Sequence, residues 1–248
     1  MKKLLLCAAV ASAFVGMHAY ADEPKPETDS TFNIAAASEY RYRGISQSRM
    51  QPALQGGWDY TNNVHGYYVG TWLSTINWTK DAGGGGEYEW DMYAGKRGEF
   101  GDGMSYDVGM LAYLYPGSGL DTVPGFAAAY TNELYAQIGM GPVYVKYSRS
   151  ITNLFAYPDS RGSGYLDIGA NLEMSDGYTL NLHVGHQSVR NTGPASYSDW
   201  KIGVTKEVNG VNLSLALIGT NANKAVYYTP EGKFTGKSSL VLTAVKTF

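Results

Sequence analysis

The 248-residue sequence contains little cysteine, little histidine and no excess of basic charge. Its single cysteine, Cys7, lies in an N-terminal apolar stretch, so a disulfide framework is excluded and no redox centre is expected. The 4 histidines form no metal-binding motif, and we expect neither a metal nor a cofactor. Lys and Arg number 19 against 22 Asp and Glu, which gives no support to nucleic-acid binding.

Long apolar runs are also missing. Beyond the N-terminus, no segment could form a membrane helix, which needs about 20 apolar residues. The N-terminus itself has Lys2-Lys3, an apolar stretch over 4–15, and Ala19-Tyr20-Ala21. This pattern predicts a signal peptide over 1–21 that directs export and is cleaved after Ala21. A lipid anchor on Cys7 is disfavoured, because the cysteine comes early and follows a leucine. Without Lys2 and Lys3, 17 bases face 22 acids, so the mature net charge is −5.

What the chain does contain is a series of short stretches in which polar and apolar residues alternate. Over 165–174 the even positions are apolar and the odd positions are polar, small or aromatic, including Asp167, Asn171 and Glu173. A period of two indicates a strand. A soluble β-sandwich also shows alternation. Charges confined to one face, opposite an apolar face, favour a strand that faces lipid.

The connections between these stretches are alternately short and long. The short ones are Asn62-Asn63, Gly101-Asp102-Gly103, 139–142, Ser175-Asp176-Gly177 and Asn209-Gly210, and the long ones lie near 43–52, 79–86, 116–129, 153–163, 188–198 and 221–236. Short periplasmic turns and longer extracellular loops are typical of bacterial outer-membrane barrels. The sequence therefore predicts an all-β, transmembrane, antiparallel up-and-down barrel of about 12 strands, give or take two.

The predicted organisation is a flexible periplasmic leader over 22–30 and a barrel over 31–248, with both termini in the periplasm. The first strand is expected to run from Phe32 to Arg43, with Tyr40 and Tyr42 in an aromatic girdle. The terminal Phe248 closes an alternating strand and is expected to be the signal that the barrel-assembly machinery recognises. We expect a location in the outer membrane of a Gram-negative bacterium, in contact with its lipids and lipopolysaccharide. The oligomeric state is left open.

Charged residues on the predicted inner face are the candidate functional residues. Opposed charges across a narrow pore would select solutes, and the excess of acids predicts a mild preference for cations or neutral polar solutes. Alternatively, these charges pair with one another and fill the interior. The inward glycines Gly57, Gly109 and Gly169 favour some open lumen. The predicted pore-lining residues are Glu39, Arg41, Arg43, Glu89, Asp91, Asp107, Glu133, Lys146, Asp167, Glu173 and Lys201.

Two of these residues, Arg41 and Arg43, lead into the first long loop. They are candidates for a constriction at the mouth, or for salt bridges to Glu39, Glu87 or Glu89 that stiffen the rim. The favoured function is passive diffusion of small hydrophilic solutes or ions through a porin-like channel.

Other functions fit less well. His183 and His186 are three apart on one strand, so they point to opposite faces and cannot share a metal. Gly162-Ser163-Gly164 lacks the strand–turn–helix context of a hydrolase nucleophile. We therefore predict that the protein is not an enzyme. A structural or adhesive barrel without an open pore remains the alternative.

A family resemblance agrees with this interpretation. The segments are Ser38 to Gln47 (SEYRYRGISQ), Pro52 to Gly57 (PALQGG), Gly70-Thr71-Trp72, Tyr106 to Gly109 (YDVG), Tyr113 to Gly117 (YLYPG) and Lys246-Thr247-Phe248. Between the third and fourth of these, Glu89, Asp91, Tyr93 and Gly95 follow at two-residue spacing. In this order the sequence resembles the TorF-like family of outer-membrane porins over nearly all of the mature chain. The resemblance implies a porin-like barrel and brings no catalytic residues.

Overall fold

The computed structural model describes residues 26–248. The predicted signal peptide, its cleavage site at Ala19 and Ala21, and residues 22–25 of the predicted leader lie outside the described residues. The strands are β1 (Thr28–Ala37), β2 (Arg41–Tyr42), β3 (Ile45–Ser46), β4 (Ala53–Asn62), β5 (Tyr67–Thr75), β6 (Tyr88–Phe100), β7 (Met104–Leu114), β8 (Thr131–Met140), β9 (Val143–Ser150), β10 (Gly164–Glu173), β11 (Tyr178–Ser188), β12 (Tyr197–Val208), β13 (Val211–Thr220) and β14 (Ser239–Thr247). One α-helical turn, α1 (Trp78–Asp81), and 3₁₀ turns at Leu120–Thr122, Ser175–Gly177 and Gly193–Ala195 complete the described elements.

Twelve of these strands form one closed antiparallel barrel, in the order β1, β4 through β14, and back to β1. The first strand closes it, because Ala36 lies opposite Leu54 of β4 on one side and opposite Ala244 of β14 on the other. Closure pairs the backbone of every barrel strand on both sides and leaves no open edge, which a sheet surrounded by lipid requires. The predicted barrel of 12 strands is confirmed.

The connections separate the two ends of the barrel. Five tight turns, the start of β1 and the C-terminal residue lie at one end, here called the turn end, and six longer loops lie at the other, the loop end. The turn at Asn209-Gly210 illustrates the backbone conformation of a tight turn, since its two residues have φ of 53° and 74°. Positive φ at both central residues is the geometry of a two-residue hairpin turn, and Asn-Gly is the pair that adopts it most readily.

The outer surface of the barrel is an apolar belt built by the alternation seen in the sequence. In β10, Leu166 and Ile168 are both 41% exposed, while the intervening Asp167 points inward. The same face continues around the barrel, with exposed Val145, Ile202, Leu215 and Leu242. A continuous outward apolar band is the hallmark of a transmembrane barrel. Among residues 26–248, no helix is long and apolar enough to cross a bilayer.

Tyrosine rings fill much of the interior on the β5–β10 side, where Tyr68, Tyr93, Tyr113, Tyr135, Tyr144 and Tyr165 are all buried. A β-carbon at Gly109 would lie 2.6 Å from the hydroxyl of Tyr135, and one at Gly169 would lie 2.5 Å from the ring of Tyr144. These two glycines therefore make room for tyrosine rings. The expectation that inward Gly109 and Gly169 leave an open lumen was wrong for this reason.

The first strand differs from its predicted bounds. It starts at Thr28, because pairing with β4 continues to Asn62 at the turn end. It ends at Ala37, after which the chain bends into the barrel. Tyr40 is 3% exposed and lies inside, so the expected place of Tyr40 and Tyr42 in an aromatic girdle was wrong. Alternation continues through 38–43, but the backbone has already left the barrel wall.

Candidate functional site

Residues 38–52, here called the inward loop, connect β1 to β4 and enter the lumen at the loop end. The short hairpin of β2 and β3 forms its tip, with Arg43 and Gly44 at the turn. Both turn residues have positive φ, 47° and 79°. A β-carbon at Gly44 would lie 2.7 Å from the β-carbon of Asp199, so the turn packs directly on the wall at β12. Only glycine fits both the backbone and the space.

Arg43 crosses the lumen to the opposite wall. Its guanidinium donates two hydrogen bonds to the carboxylate of Glu133 on β8, at 3.0 and 2.7 Å, and one to Gln187 on β11 at 2.7 Å. The same group lies 4.7 Å from the ring centre of Tyr42 and 4.2 Å from that of Tyr165. Paired hydrogen bonds between a guanidinium and a carboxylate are among the strongest polar contacts in proteins.

The guanidinium of Arg43 carries a positive charge. Burial on its own would lower the pKa of this guanidinium, but the carboxylate of Glu133 and the hydroxyls of Tyr42 and Tyr113 raise it well above its ordinary value. Arg43 is therefore protonated throughout the physiological range and holds the inward loop as a cation.

Further contacts fix the rest of the inward loop. The hydroxyl of Tyr40 donates to Glu89 at 2.9 Å, and the hydroxyls of Tyr42 and Tyr113 are 2.6 Å apart. The backbone N–H of Ser46 donates to the carbonyl of Thr235 in the last loop at 3.0 Å. The inward loop is thus tied to the barrel wall and to a neighbouring loop.

The predicted alternatives for the two arginines can be compared with these contacts. Arg41 pairs with Glu39 at 2.9 Å, as one alternative expected, and also donates to the carbonyl of Gly44 at 2.8 Å. Arg43 pairs with Glu133, a partner that was not expected. Glu87 pairs with Lys80 near the rim. Of these two arginines, Arg43 is the one that reaches the opposite wall of the barrel.

A second polar layer lies deeper in the barrel around His183. Its two ring nitrogens contact Asp167 at 2.8 Å and Asp199 at 2.7 Å. Tyr165 donates to Asp199 at 2.9 Å. His183 faces inward and His186 is exposed on the outer face, as their spacing predicted. His183 and Asp199 were missed as lumen residues, although Asp199 shares the inward parity of Lys201 on β12.

A third layer lies toward the turn end. Tyr68 of β5 donates to Asp107 of β7 at 2.5 Å and contacts the hydroxyl of Tyr135 across the lumen. Tyr93 donates to Asp59 at 2.7 Å. Asp59 was also missed, and inward parity on β4 would have identified it. The layers together show that polar side chains meet inside the barrel from strands that are not neighbours.

Most predicted pore-lining residues do lie on the inner side. Those that are buried are Glu39, Arg41, Glu89, Asp91, Asp107 and Glu133, those partly buried are Arg43, Lys146, Asp167 and Lys201, and Glu173 is exposed at the turn end. Asp91 interacts electrostatically with Glu89 and Glu133, and neither of its carboxylate oxygens has a hydrogen-bond partner within residues 26–248.

One side of the lumen is lined by small side chains. An internal cavity of about 40 Å³ lies between the inward loop and the wall from β11 through β14 to β1 and β4. Its lining includes Gly203, Thr205, Ser214, Ala216 and Thr243, together with the charged residues Glu39, Arg41 and Lys201. A cavity of this size holds about one or two water molecules.

The chain can now be compared with known proteins. Residues 21–248 match the model of a family described as a bacterial protein of unknown function, Gcw_chp. No curated protein matches the sequence. Two similar solved structures are a KdgM porin, with a TM-score of 0.55 at 6% identity, and a KdgM porin in complex with disordered oligogalacturonate, with a TM-score of 0.54 at 6% identity. The first comparison covers 88% of this chain and 99% of that chain, and the second covers 89% and 99%. At this identity the similarity shows a shared barrel fold.

Proposed function

The chain belongs to the Gcw_chp family of bacterial proteins, and we propose that it is an outer-membrane, porin-like channel for passive diffusion of small hydrophilic solutes or ions. The main support for the proposal is the contrast between the outer and inner faces of the barrel. The outer face is an apolar belt, while charged and polar side chains line the inner face from the loop end to the turn end. A barrel with no transport role could be filled with apolar side chains, as soluble cores are.

The orientation follows from the same architecture. Long loops face the outside in outer-membrane barrels and short turns face the periplasm. The inward loop then controls access from the extracellular side. Export by the signal peptide and assembly through Phe248 and the barrel-assembly machinery complete this proposal, and the name TorF-like porin stays a prediction from the sequence.

We further propose a route for the solute. The small side chains around Ser214 and Ala216 leave space beside the inward loop, whereas tyrosines fill the β5–β10 side. A solute entering on the small-residue side would pass Arg41 and Lys201 and reach the turn end. Twelve-stranded barrels are intermediate between small filled barrels and wide porins, so a narrow route fits the strand number.

Charge favours cations and neutral solutes. Acids outnumber bases among the buried charged side chains of the described residues, which are Glu39, Glu89, Asp91, Asp107, Glu133 and Asp199 against Arg41. Arg43 is neutralised by Glu133 and Arg41 by Glu39. An acidic sugar such as the oligogalacturonate in the KdgM complex would meet repulsion here, so we propose a different solute class.

A sealed structural or adhesive barrel is the second candidate. The observation that favours it is the inward loop, whose tip enters the lumen and reaches Glu133. Swelling of proteoliposomes separates the two candidates. The channel predicts swelling in small neutral sugars and amino-acid cations, and slower swelling in sugar acids of equal size. Vesicles that do not swell in any solute, while the barrel is folded by gel mobility, would support the sealed barrel.

A further inference from the structure

Three arginines gather on the outer surface of the barrel at the loop end. Arg149 lies on the outward face near the end of β9, Arg161 lies in the loop that follows β9, and Arg190 lies two residues beyond the end of β11. All three are exposed. The chain has seven arginines, at 41, 43, 49, 97, 149, 161 and 190, so nearly half of them meet at this point.

These arginines line an open groove of about 710 Å³, here called the arginine groove, together with Ser150, Ile151, Asn153, Asp159, Gly162 and Asn191. Gly162 has φ of +90° and lies between two of the guanidinium groups. A β-carbon at Gly162 would lie 3.3 Å from Nη1 of Arg190 and 3.4 Å from Nη2 of Arg149. Glycine therefore allows the two cationic groups to approach one another over the backbone.

The positive charge of the arginine groove is not neutralised from within the described chain. Arg190 donates to the backbone carbonyl of Arg161 at 3.3 Å, and none of the three arginines forms an ion pair with a carboxylate of residues 26–248. Asp159 lines the groove, and its backbone carbonyl accepts from Asn191 at 2.9 Å. Three like charges held together repel one another, and an anion between them would relieve that repulsion.

The apolar belt begins directly below the arginine groove. Arg149 lies opposite Leu134 of β8 in the sheet, and Leu134 is 50% exposed on the outer face. Tyr147 precedes Arg149 on the same face and is 48% exposed. A ligand at this position would therefore place its charged part against guanidinium groups and its hydrocarbon against the belt.

We propose that the arginine groove binds the phosphate groups of lipopolysaccharide in the outer leaflet, with the acyl chains packed along the belt. Guanidinium groups bind phosphate oxygens through paired hydrogen bonds and stay charged at any physiological pH. The proposal uses the outer-membrane orientation given under Proposed function, but it does not require an open pore. It names a lipid-binding site that is separate from the solute route.

Binding of lipid A to the refolded full chain in detergent tests the proposal. The test variant is R149Q/R161Q/R190Q. The control variant, K96Q/K206Q/K246Q, removes the same charge near the turn end, where Lys96 and Lys206 lie 4.9 and 4.2 Å from tyrosine rings. We expect saturable binding of bisphosphorylated lipid A. We expect the test variant to bind it at least about tenfold more weakly, because it removes the three guanidinium groups that would contact the phosphates. We expect the control variant to bind as the native chain does.

Dephosphorylated lipid A and inorganic phosphate identify the ligand. The proposal predicts weak binding of each. The arginine substitutions should leave the binding of dephosphorylated lipid A unchanged and should abolish the weak binding of inorganic phosphate. It is overturned if dephosphorylated lipid A binds as tightly as the phosphorylated form, if inorganic phosphate alone binds as tightly, or if the test variant binds lipid A normally. Gel mobility of the same samples reports whether the barrel is folded, and conductance reports separately whether its pore is open. A sealed barrel that still binds lipid A would contradict only the channel, and a conducting barrel that does not bind it would contradict only this site.

Discussion

Arg43 and Glu133 lie 90 residues apart in the chain and meet across the lumen through hydrogen bonds of 3.0 and 2.7 Å. This pair joins the tip of the inward loop to the barrel wall at β8. Both side chains are shielded from solvent, with exposed fractions of 7% and 2%. We therefore propose that the pair controls access to the channel from the loop end.

Removing the charge of Arg43 should release the inward loop. Breaking one partner of a buried ion pair costs about 3–5 kcal/mol, and 3 kcal/mol would shift the balance of closed and open states by about a hundredfold. We expect R43Q to raise the open probability or the conductance of single channels in planar bilayers.

R49Q is the matched control, because Arg49 lies on the same inward loop but is 34% exposed where it pairs with Asp81. A pair with one partly exposed member contributes less than a fully buried pair, so R49Q should change conductance by less than about fivefold. Equal effects of R43Q and R49Q would contradict a specific role for the pair of Arg43 and Glu133.

Tethering the inward loop should close the channel. The backbone N–H of Ser46 is 3.0 Å from the carbonyl of Thr235, and cleavage of the predicted signal peptide would leave no native cysteine. In the R43Q background we expect oxidised S46C/T235C to conduct less than the same protein after reduction. The measurement is bilayer current before and after a thiol reductant is added. S46C alone should not respond, and a double variant whose current is the same in both states would speak against movement of this loop.

The two faces of β13 should respond differently to an added charge. Leu215 is 48% exposed on the apolar belt, and an arginine there costs about 2–4 kcal/mol at the bilayer midplane. Its neighbour Ser214 faces the internal cavity. We expect L215R to lower the free energy of unfolding from vesicles by about that amount, and S214R to lower it by less.

S214R also tests the proposed route. Its side chain would fill the small-residue side of the lumen, so we expect S214R to reduce conductance although the barrel stays folded. Native conductance in S214R would place the route elsewhere, and equal destabilisation by the two variants would contradict the assignment of faces.

Phe248 is expected to assist assembly. Its N–H donates to the carbonyl of Phe32 at 2.8 Å, and the N–H of Phe32 donates back at 3.1 Å, so the last residue helps to pair β14 with β1. We expect deletion of Phe248 to lower the folded fraction in cells severalfold, measured by heat-dependent gel mobility. F248Y keeps both backbone bonds and the aromatic ring and should restore it. Normal assembly after the deletion would exclude Phe248 as a required signal.

Much of the barrel could be predicted from the sequence because strand alternation is a local property. The outward Leu166 and Ile168 and the inward Asp167 follow directly from a period of two. The inward loop could not be predicted in this way. Tyr40, Arg41 and Tyr42 continue to alternate, and alternation does not show where a backbone leaves the barrel wall.

The contacts across the lumen are the other part that the sequence could not provide. The pairing of Arg43 with Glu133, and of Tyr68 with Asp107, depends on the diameter and stagger of the closed barrel, which no single strand encodes. His183 and Asp199 share the inward parity of residues that were predicted, so parity applied to every strand would have included them. For Gly109 and Gly169, parity gave the inward direction correctly but not what lies beside them. Tyrosine rings from neighbouring strands occupy the space that these glycines leave.

The central claim is that this barrel conducts small solutes past a lumen that favours cations. Its most direct test is the current through the refolded chain in a planar bilayer with a salt gradient, recorded for the native protein and for R43Q. We predict a small native conductance, a larger one in R43Q, and in both a reversal potential whose sign shows that cations cross more easily than anions. No current in either protein, with the barrel folded by gel mobility, or a reversal potential of the opposite sign, would contradict the account.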